Sequence, residues 1–225
     1  MLKIHLWIPW HWAGEVAPAQ TDVWFANYLK TILPLIDIAR EENVETVFAG
    51  TELRGIENAP QWPAFISAIR ARYHGHVVYD TDSLEQAEKF QYWSLFDTVS
   101  TSLYTALPDN KKARLAVMDN NAARLQALGQ KWQRPVWVAE LGIRSARGSL
   151  QQPWLSPEQI KLPVDLAVQK MALTEWRNSL TQHGVSGISI WCWYTDPHDG
   201  GPDNSDFTIQ NKPAVSVLSR PPLRF

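Results

Sequence analysis

Val47-Phe48-Ala49-Gly50-Thr51-Glu52-Leu53-Arg54-Gly55 is an apolar run that stops at a carboxylate and a Gly-bounded loop. Short apolar runs of this kind read as buried strands, and a Glu at the exit is easier to explain as chemistry than as packing. A second stretch, Pro135-Val136-Trp137-Val138-Ala139-Glu140-Leu141-Gly142, has the same form and again delivers a Glu to a strand end. If both strands lie parallel in one sheet or barrel, their carboxyl groups face one another across a cleft. Two such groups are the minimum equipment for cleaving a glycosidic bond. For either Glu taken alone, a salt-bridged strand end with Arg54 or Arg144 is the competing explanation.

Outward from these stretches the chain alternates strand and helix. Leu2 to Ile8 reads as a strand that runs into a ring-rich loop, Pro9-Trp10-His11-Trp12-Ala13-Gly14. Thr21-Asp22 caps a helix with Phe25, Leu29, Ile32, Ile36 and Ala39 at helical spacing, kinked at Pro34. After the strand Glu45 to Ala49, a helix over about 60–73 carries Trp62, Phe65, Ile66 and Ile69, and His76 to Tyr79 is a strand. Asp80-Thr81-Asp82-Ser83 turns into a helix running toward Trp93, and Phe96 to Leu103 is a strand ending at Tyr104. Asn110 caps a helix containing Leu115, Met118, Ala122, Leu125 and Leu128. Beyond the strand Pro135 to Ala139, a long loop from Arg144 to about Pro163 has the length of a functional loop. A helix with Val164, Val168, Met171, Trp176 and Leu180 follows, broken by Gly184, and Val185 to Trp193 is the last strand.

Such alternation through six strands is the pattern of an α/β fold, a parallel sheet with helices outside it. No Gly-x-Gly-x-x-Gly or phosphate-loop element follows the first strand, so a nucleotide-binding doubly wound sheet has no support. The chemistry-bearing residues sit instead at strand C-terminal ends: His5, Glu52, Tyr104, Glu140 and Trp191. That is the distribution of a (β/α) barrel. With 225 residues and no linker or repeat, residues 1–225 are expected to form one domain.

A net charge of −2 gives no sign of a nucleic-acid partner. No apolar run approaches the roughly 18 residues that cross a bilayer, so no membrane partner is expected and a soluble protein is the reading. The single cysteine, Cys192, rules out an internal disulfide and reads as a buried small apolar residue. His74-Gly75-His76 lacks a third metal ligand, and the aspartates at 196, 199, 203 and 206 lack the spacing of a calcium loop, so no metal or cofactor is expected. No Ser-His-Asp or Cys-His set stands at strand ends. Twelve tryptophans are the compositional surprise. About two thirds should be core, leaving a minority, among them Trp12 and Trp193, for stacking on a sugar.

At Gly50-Thr51-Glu52-Leu53-Arg54-Gly55 and Ala139-Glu140-Leu141-Gly142-Ile143-Arg144-Ser145 the sequence resembles glycoside hydrolase family 113, β-mannanases of a retaining clan with (β/α)8 TIM barrels. The resemblance extends to Leu2–Trp7, Tyr92–Asp97, Trp191-Cys192-Trp193 and Asp206–Pro213, and so covers nearly the whole chain. It implies Glu52 as acid/base on the fourth barrel strand and Glu140 as nucleophile on the seventh. Tyr104 then corresponds to the Tyr that hydrogen-bonds the nucleophile, Trp191 to the platform under the sugar, and His5 to a residue reaching the same sugar. Thr51 stands where many relatives carry the Asn that binds the sugar 2-OH. Arg144, if turned inward, would help keep Glu140 anionic. The implied activity is double-displacement hydrolysis of a β-linked saccharide, with β-1,4-mannan as substrate; β-glucan and β-galactan are the alternatives within the clan.

The first strand here matches the third of that barrel, so six β/α units, strands three to eight, are expected. Six strands leave two unpaired edges, at Leu2–Ile8 and Val185–Trp193. An N-terminally incomplete barrel, a partner chain closing the gap and a dimer paired through the edges are the three explanations. A second class of function follows from the same gap: a catalytically inactive carbohydrate-binding or structural remnant. Met1-Leu2-Lys3-Ile4-His5-Leu6 is not a secretory signal. The expected location is the cytoplasm if Met1 is the true start, and outside it if an upstream segment carries a signal peptide.

Overall fold

The computed structural model describes residues 1–218. Over them the chain runs β1 (Leu2–Lys3), α1 (Thr21–Glu41), β2 (Thr46–Thr51), α2 (Trp62–Arg70), β3 (His76–Asp80) and α3 (Leu84–Lys89). It continues through β4 (Val99–Ser102), α4 (Lys111–Trp132), β5 (Val136–Leu141), α5 (Leu166–Gln182) and β6 (Gly187–Ile190). The strand–helix alternation expected from the sequence is therefore present. The residues fall into two compact units, one of Met1–Ser102 with Gly129–Pro135, the other of Leu103–Leu128 with the chain from Val136.

In the first unit β1, β2 and β3 are parallel neighbours in that order, with Leu2 opposite Val47 and Val47 opposite Val77. Val47, Phe48 and Ala49 are fully buried, as expected of a strand covered on both faces. The β2–β3 register shifts between Phe48 and Thr51, bringing Thr51 opposite Asp80. Tyr28 of α1 donates its hydroxyl to the Ala49 carbonyl at 3.0 Å, within that shift. The buried face of α1 is Phe25, Tyr28, Ile32, Ile36 and Ala39, so Tyr28, not Leu29, fills the position where a polar tip is needed. Pro34 is exposed on the opposite side, and the kink expected there does not divide the helix.

The strand expected over Leu2–Ile8 is far shorter. Ile4 N–H still reaches the Phe48 carbonyl at 3.3 Å, but Pro9 has no N–H to offer a ladder and Trp10 adopts a left-handed φ of 68°. The chain turns back there, and Ile8 bridges antiparallel to His11. The strand expected from Phe96 also starts late: Asp97 N–H reaches the Val77 carbonyl at 3.0 Å, but Val77 N–H is taken at 2.7 Å by the Asp97 carboxylate, which also accepts Arg70 at 3.0 Å.

In the second unit β5 and β6 are parallel, with Val138 opposite Ile188. Asn110 Oδ1 accepts Ala113 N–H at 3.0 Å and opens α4 as expected. Helix α5 starts two residues later than expected, because Asp165 caps it by accepting Ala167 and Val168 N–H. Val164 lies outside the helix, exposed, in a bridge to Ala146. The buried face of α5 is Gln169, Ala172, Leu173, Trp176, Ser179 and Leu180. β6 is shorter than Val185–Trp193 and stops before Trp191.

The expectation that two thirds of the tryptophans are core is overturned. Trp62, Trp93 and Trp176 are fully buried, whereas Trp7, Trp10, Trp12, Trp154, Trp191 and Trp193 are exposed. Cys192 is half-buried, not enclosed.

On the α4 stripe Arg114 is buried where an apolar residue would be expected, and it pairs with Glu175 of α5 at 2.7 Å. It also donates to the Asp109 carbonyl at 2.7 Å. Removing one member of such a pair leaves a charge in low dielectric, at a cost of about 3 kcal/mol. Glu175→Ala should lower the urea midpoint accordingly, and Arg114→Met combined with Glu175→Leu should recover most of the loss. A midpoint unchanged in Glu175→Ala would show that the carbonyl contacts alone hold Arg114.

Candidate active site

In the first unit β2 ends at Thr51, and Glu52 takes a left-handed φ of 54°. That conformation is uncommon for any residue but Gly. Glu52 N–H donates to the Asp80 carbonyl at 2.7 Å. Its half-buried carboxylate accepts the Trp12 indole N–H at 2.8 Å. The Arg54 guanidinium lies 4.8 Å over the Trp12 ring and forms an ion pair with Asp82, so its carboxylate partner is Asp82. Thr51 is buried and donates its hydroxyl to the Ile4 carbonyl at 2.9 Å, spending that proton inside the fold. His5, next in the chain, is exposed.

Two residues beside this strand end escaped the sequence reading. Tyr79 of β3 accepts Leu53 N–H at 3.0 Å and donates to Glu57 at 2.9 Å. Glu57 is buried, and burial pushes its carboxyl up to about 7, with the Tyr79 hydrogen bond opposing and nearby Asp82 adding to the rise. The available signal was a Glu five residues after another Glu, directly following Gly55-Ile56.

In the second unit Glu140 lies within β5 at 5% exposure and accepts the Tyr104 hydroxyl at 2.9 Å. Leu103 N–H donates to the Glu140 carbonyl at 2.8 Å, so consecutive residues hold its backbone and its side chain. The Tyr104 ring is edge-on to Phe207 at 6.1 Å and borders Gly142, where a Cβ would come within 2.7 Å of Tyr104 Cε1.

Arg144 is buried, and its guanidinium donates to the backbone carbonyls of Ser205 and Ile160 at 3.1 and 3.0 Å. Turned that way it braces the loop after β5, a correction to the expectation that it supports Glu140. Trp191 follows β6, hydrogen-bonds the Leu141 carbonyl at 3.0 Å and exposes 38% of its surface; its peptide bond to Cys192 is cis. Trp193 is more exposed still. Burial raises the pKa of the Cys192 thiol. Tyr194 donates to Asp206 at 2.6 Å, and Asp196 caps His198 N–H at 2.9 Å, so these aspartates serve loop structure. Among the described residues, no group of three His, Cys, Asp or Glu is arranged to hold a metal ion, and no helix is long and apolar enough to cross a membrane.

Each strand-end Glu is thus oriented by an aromatic donor, Glu52 by Trp12 and Glu140 by Tyr104. A family model for Glycoside Hydrolase Family 113 matches residues 10–212. The chain belongs to that family. It is therefore a glycoside hydrolase, and a carbohydrate substrate fits it. A comparison with curated proteins returned no match. Among solved structures the chain is similar to a complex of a GH113 β-1,4-mannanase, with a TM-score of 0.81 at 22% identity over 96% of this chain and 71% of that one. It is also similar to a GH113 β-mannanase from Alicyclobacillus acidocaldarius in complex with ManMIm, with a TM-score of 0.79 at 21% identity, covering 93% and 67%. A structure of fungal β-1,4-galactanases aligns with a TM-score of 0.59 at 16% identity, covering 92% and 71%. At these identities the likeness shows the fold, an α/β fold similar to the family 113 TIM-barrel enzymes.

Two predictions come from these contacts. Gly142→Ala should push the Tyr104 ring aside and lengthen the Tyr104–Glu140 contact beyond hydrogen-bond reach in a crystal structure; an unchanged 2.9 Å bond would refute the crowding argument. For Glu57, between its ordinary value of 4.5 and about 7 the folded chain keeps a proton that the unfolded chain has released. Stability from that group is full below the lower value and is lost as pH rises through the upper one. The Tm of Glu57→Gln should therefore gain on the parent between pH 4.5 and 7.5, and a Tm difference that stays flat over that range would remove the linkage.

Proposed function

We propose that the chain hydrolyses β-1,4-linked mannan with retention of configuration, with Glu140 as nucleophile and Glu52 as acid/base. The observation that carries the reading is the Tyr104–Glu140 hydrogen bond at 2.9 Å. It holds a nearly buried carboxylate in one orientation, as a nucleophile requires. In family 113 terms β1 to β6 take the places of barrel strands three to eight, with β2 as the fourth and β5 as the seventh.

In the first step Glu140 forms a bond to the anomeric carbon while the bond from that carbon to the leaving oxygen breaks. Glu52 gives its proton to that oxygen. In the second step Glu52 takes a proton from water, the water oxygen attacks the anomeric carbon, and the ester bond to Glu140 breaks. The mechanism requires the two carboxyl groups about 5–5.5 Å apart with substrate bound. His5, Trp12, Trp191 and Trp193 are assigned to the sugar, with the exposed rings offering stacking faces. Thr51 is assigned there too, its oxygen serving as an acceptor because its proton is held by Ile4.

Mannan is favoured by the two family 113 mannanase structures, whose TM-scores exceed that of the galactanases. Oligosaccharides of β-mannan, β-glucan and β-galactan, assayed side by side, test the choice; cleavage of glucan but not mannan would overturn it. Glu52→Ala and Glu140→Ala should each lose at least about 10³-fold in kcat/KM on the natural linkage. With an activated aryl glycoside, azide should enter from opposite faces in the two variants. An α-azide from Glu140→Ala and a β-azide from Glu52→Ala are expected, and the reverse pairing would exchange the roles.

A further inference from the structure

We propose that Tyr79 is a positioning residue for the acid/base, aiming Glu52 through the Leu53 amide, with Glu57 fixing the direction of the Tyr79 hydroxyl. The inference rests on the reading of Glu52 given above. Tyr79 Oη accepts Leu53 N–H at 3.0 Å, so its own proton must go elsewhere, and Glu57 Oε1 takes it at 2.9 Å. The polarity of the chain is therefore Leu53 amide, Tyr79 phenol, Glu57 carboxyl.

A left-handed φ of 54° persists at Glu52 only because its surroundings over-determine it. Three bonds do so: Thr51 hydroxyl to the Ile4 carbonyl at 2.9 Å, Glu52 N–H to the Asp80 carbonyl at 2.7 Å, and Leu53 N–H to Tyr79. Leu53 is fully buried, so water cannot replace the phenol. Without it a buried N–H is left orphaned, and the peptide that follows Glu52 is free to rotate. The carboxylate then swings relative to Trp12, its hydrogen-bond donor at 2.8 Å.

Tyr79→Phe isolates the oxygen. Its ring packs among Trp62 and Phe90, both at 4.9 Å between centroids, and those contacts survive the change. Expected is a loss of about tenfold in kcat/KM on the unactivated oligosaccharide that the parent cleaves best, since proton donation depends on placement. The dinitrophenyl glycoside of the same sugar should stay within about twofold, because a leaving group that needs no proton makes no demand on an acid. Glu57→Leu, which removes the acceptor for the Tyr79 proton, should repeat this split, and Glu57→Gln, which keeps an acceptor oxygen, should match the parent.

Glu52→Ala is run beside them. If it shows no dependence on the leaving group, the acid/base assignment fails. If it does and Tyr79→Phe falls equally on both substrates or on neither, the positioning role fails. A readout free of turnover is the Trp12 indole N–H resonance, identified by its disappearance in Trp12→Phe. It should move in Tyr79→Phe as the bond to Glu52 weakens, and an unmoved resonance would overturn the proposal.

Discussion

Much of the first unit depends on one buried carboxylate. Asp80, fully enclosed at the end of β3, accepts the Lys3 ammonium at 2.8 Å and the Ser102 hydroxyl at 3.1 Å. Its own carbonyl accepts Glu52 N–H at 2.7 Å. One residue therefore joins β1 to β3 across the intervening β2, reaches β4, and fixes the turn that presents Glu52. Burying two charges is costly unless further hydrogen bonds satisfy them. Here the cost is moderated because Lys3 keeps some exposure and lies 5.5 Å from the Phe48 ring centroid. A two-residue strand offers few backbone bonds of its own, and this pair explains how so short a β1 stays registered against Val47 and Phe48.

The second unit holds its carboxylate by a different device. The loops after β5 and near 204–212 have few ladder partners, so their buried carbonyls need side-chain donors. Gln169 gives its amide to the carbonyls of Ile143 and Phe207, both at 2.9 Å. Lys212 reaches Ser145 and Asn204, both at 2.8 Å, although burial has lowered its pKa to about 8. Ser145 donates to the Asn204 carbonyl at 2.7 Å. These bonds seat Phe207 against the Tyr104 ring, and Tyr104 in turn holds Glu140. The same residue types in an open loop would leave Tyr104 free to choose among rotamers.

The periodic parts of this architecture could be read from the sequence. The apolar runs of β2 and β5, the Asn110 cap and the stripe Met118, Ala122, Leu125 are local patterns, and local patterns survive folding. What escaped was set by contacts distant along the chain. Nothing within Ile4 to Ile8 announced that β1 would stop at Lys3, and nothing near Tyr79 announced that its hydroxyl would be spent on Leu53. Arg144 looked like a partner for Glu140 because it is close in sequence, yet the carbonyls of Ser205 and Ile160 outbid it once the loop closed over a guanidinium with five donors to satisfy. The excess of exposed tryptophans escaped for the opposite reason: hydrophobic composition says how much apolar surface exists, not which rings the chain leaves uncovered.

The disposition of Arg54 carries the chemistry one step further. An acid that must deliver a proton is poorly served by a permanent cation bonded to it, since an adjacent guanidinium favours the ionised carboxyl. Arg54 is two residues from Glu52, the obvious candidate for that unwanted pairing. Instead it is drawn off by Asp82 and laid over the Trp12 ring, while Glu52 takes a neutral indole as a donor. The cation thus orients Trp12 by stacking on its face, and Trp12 orients Glu52 through its edge. The positive charge of Arg54 is committed to Asp82 and to the face of Trp12, the ring whose edge donates to the carboxyl proposed to carry the proton.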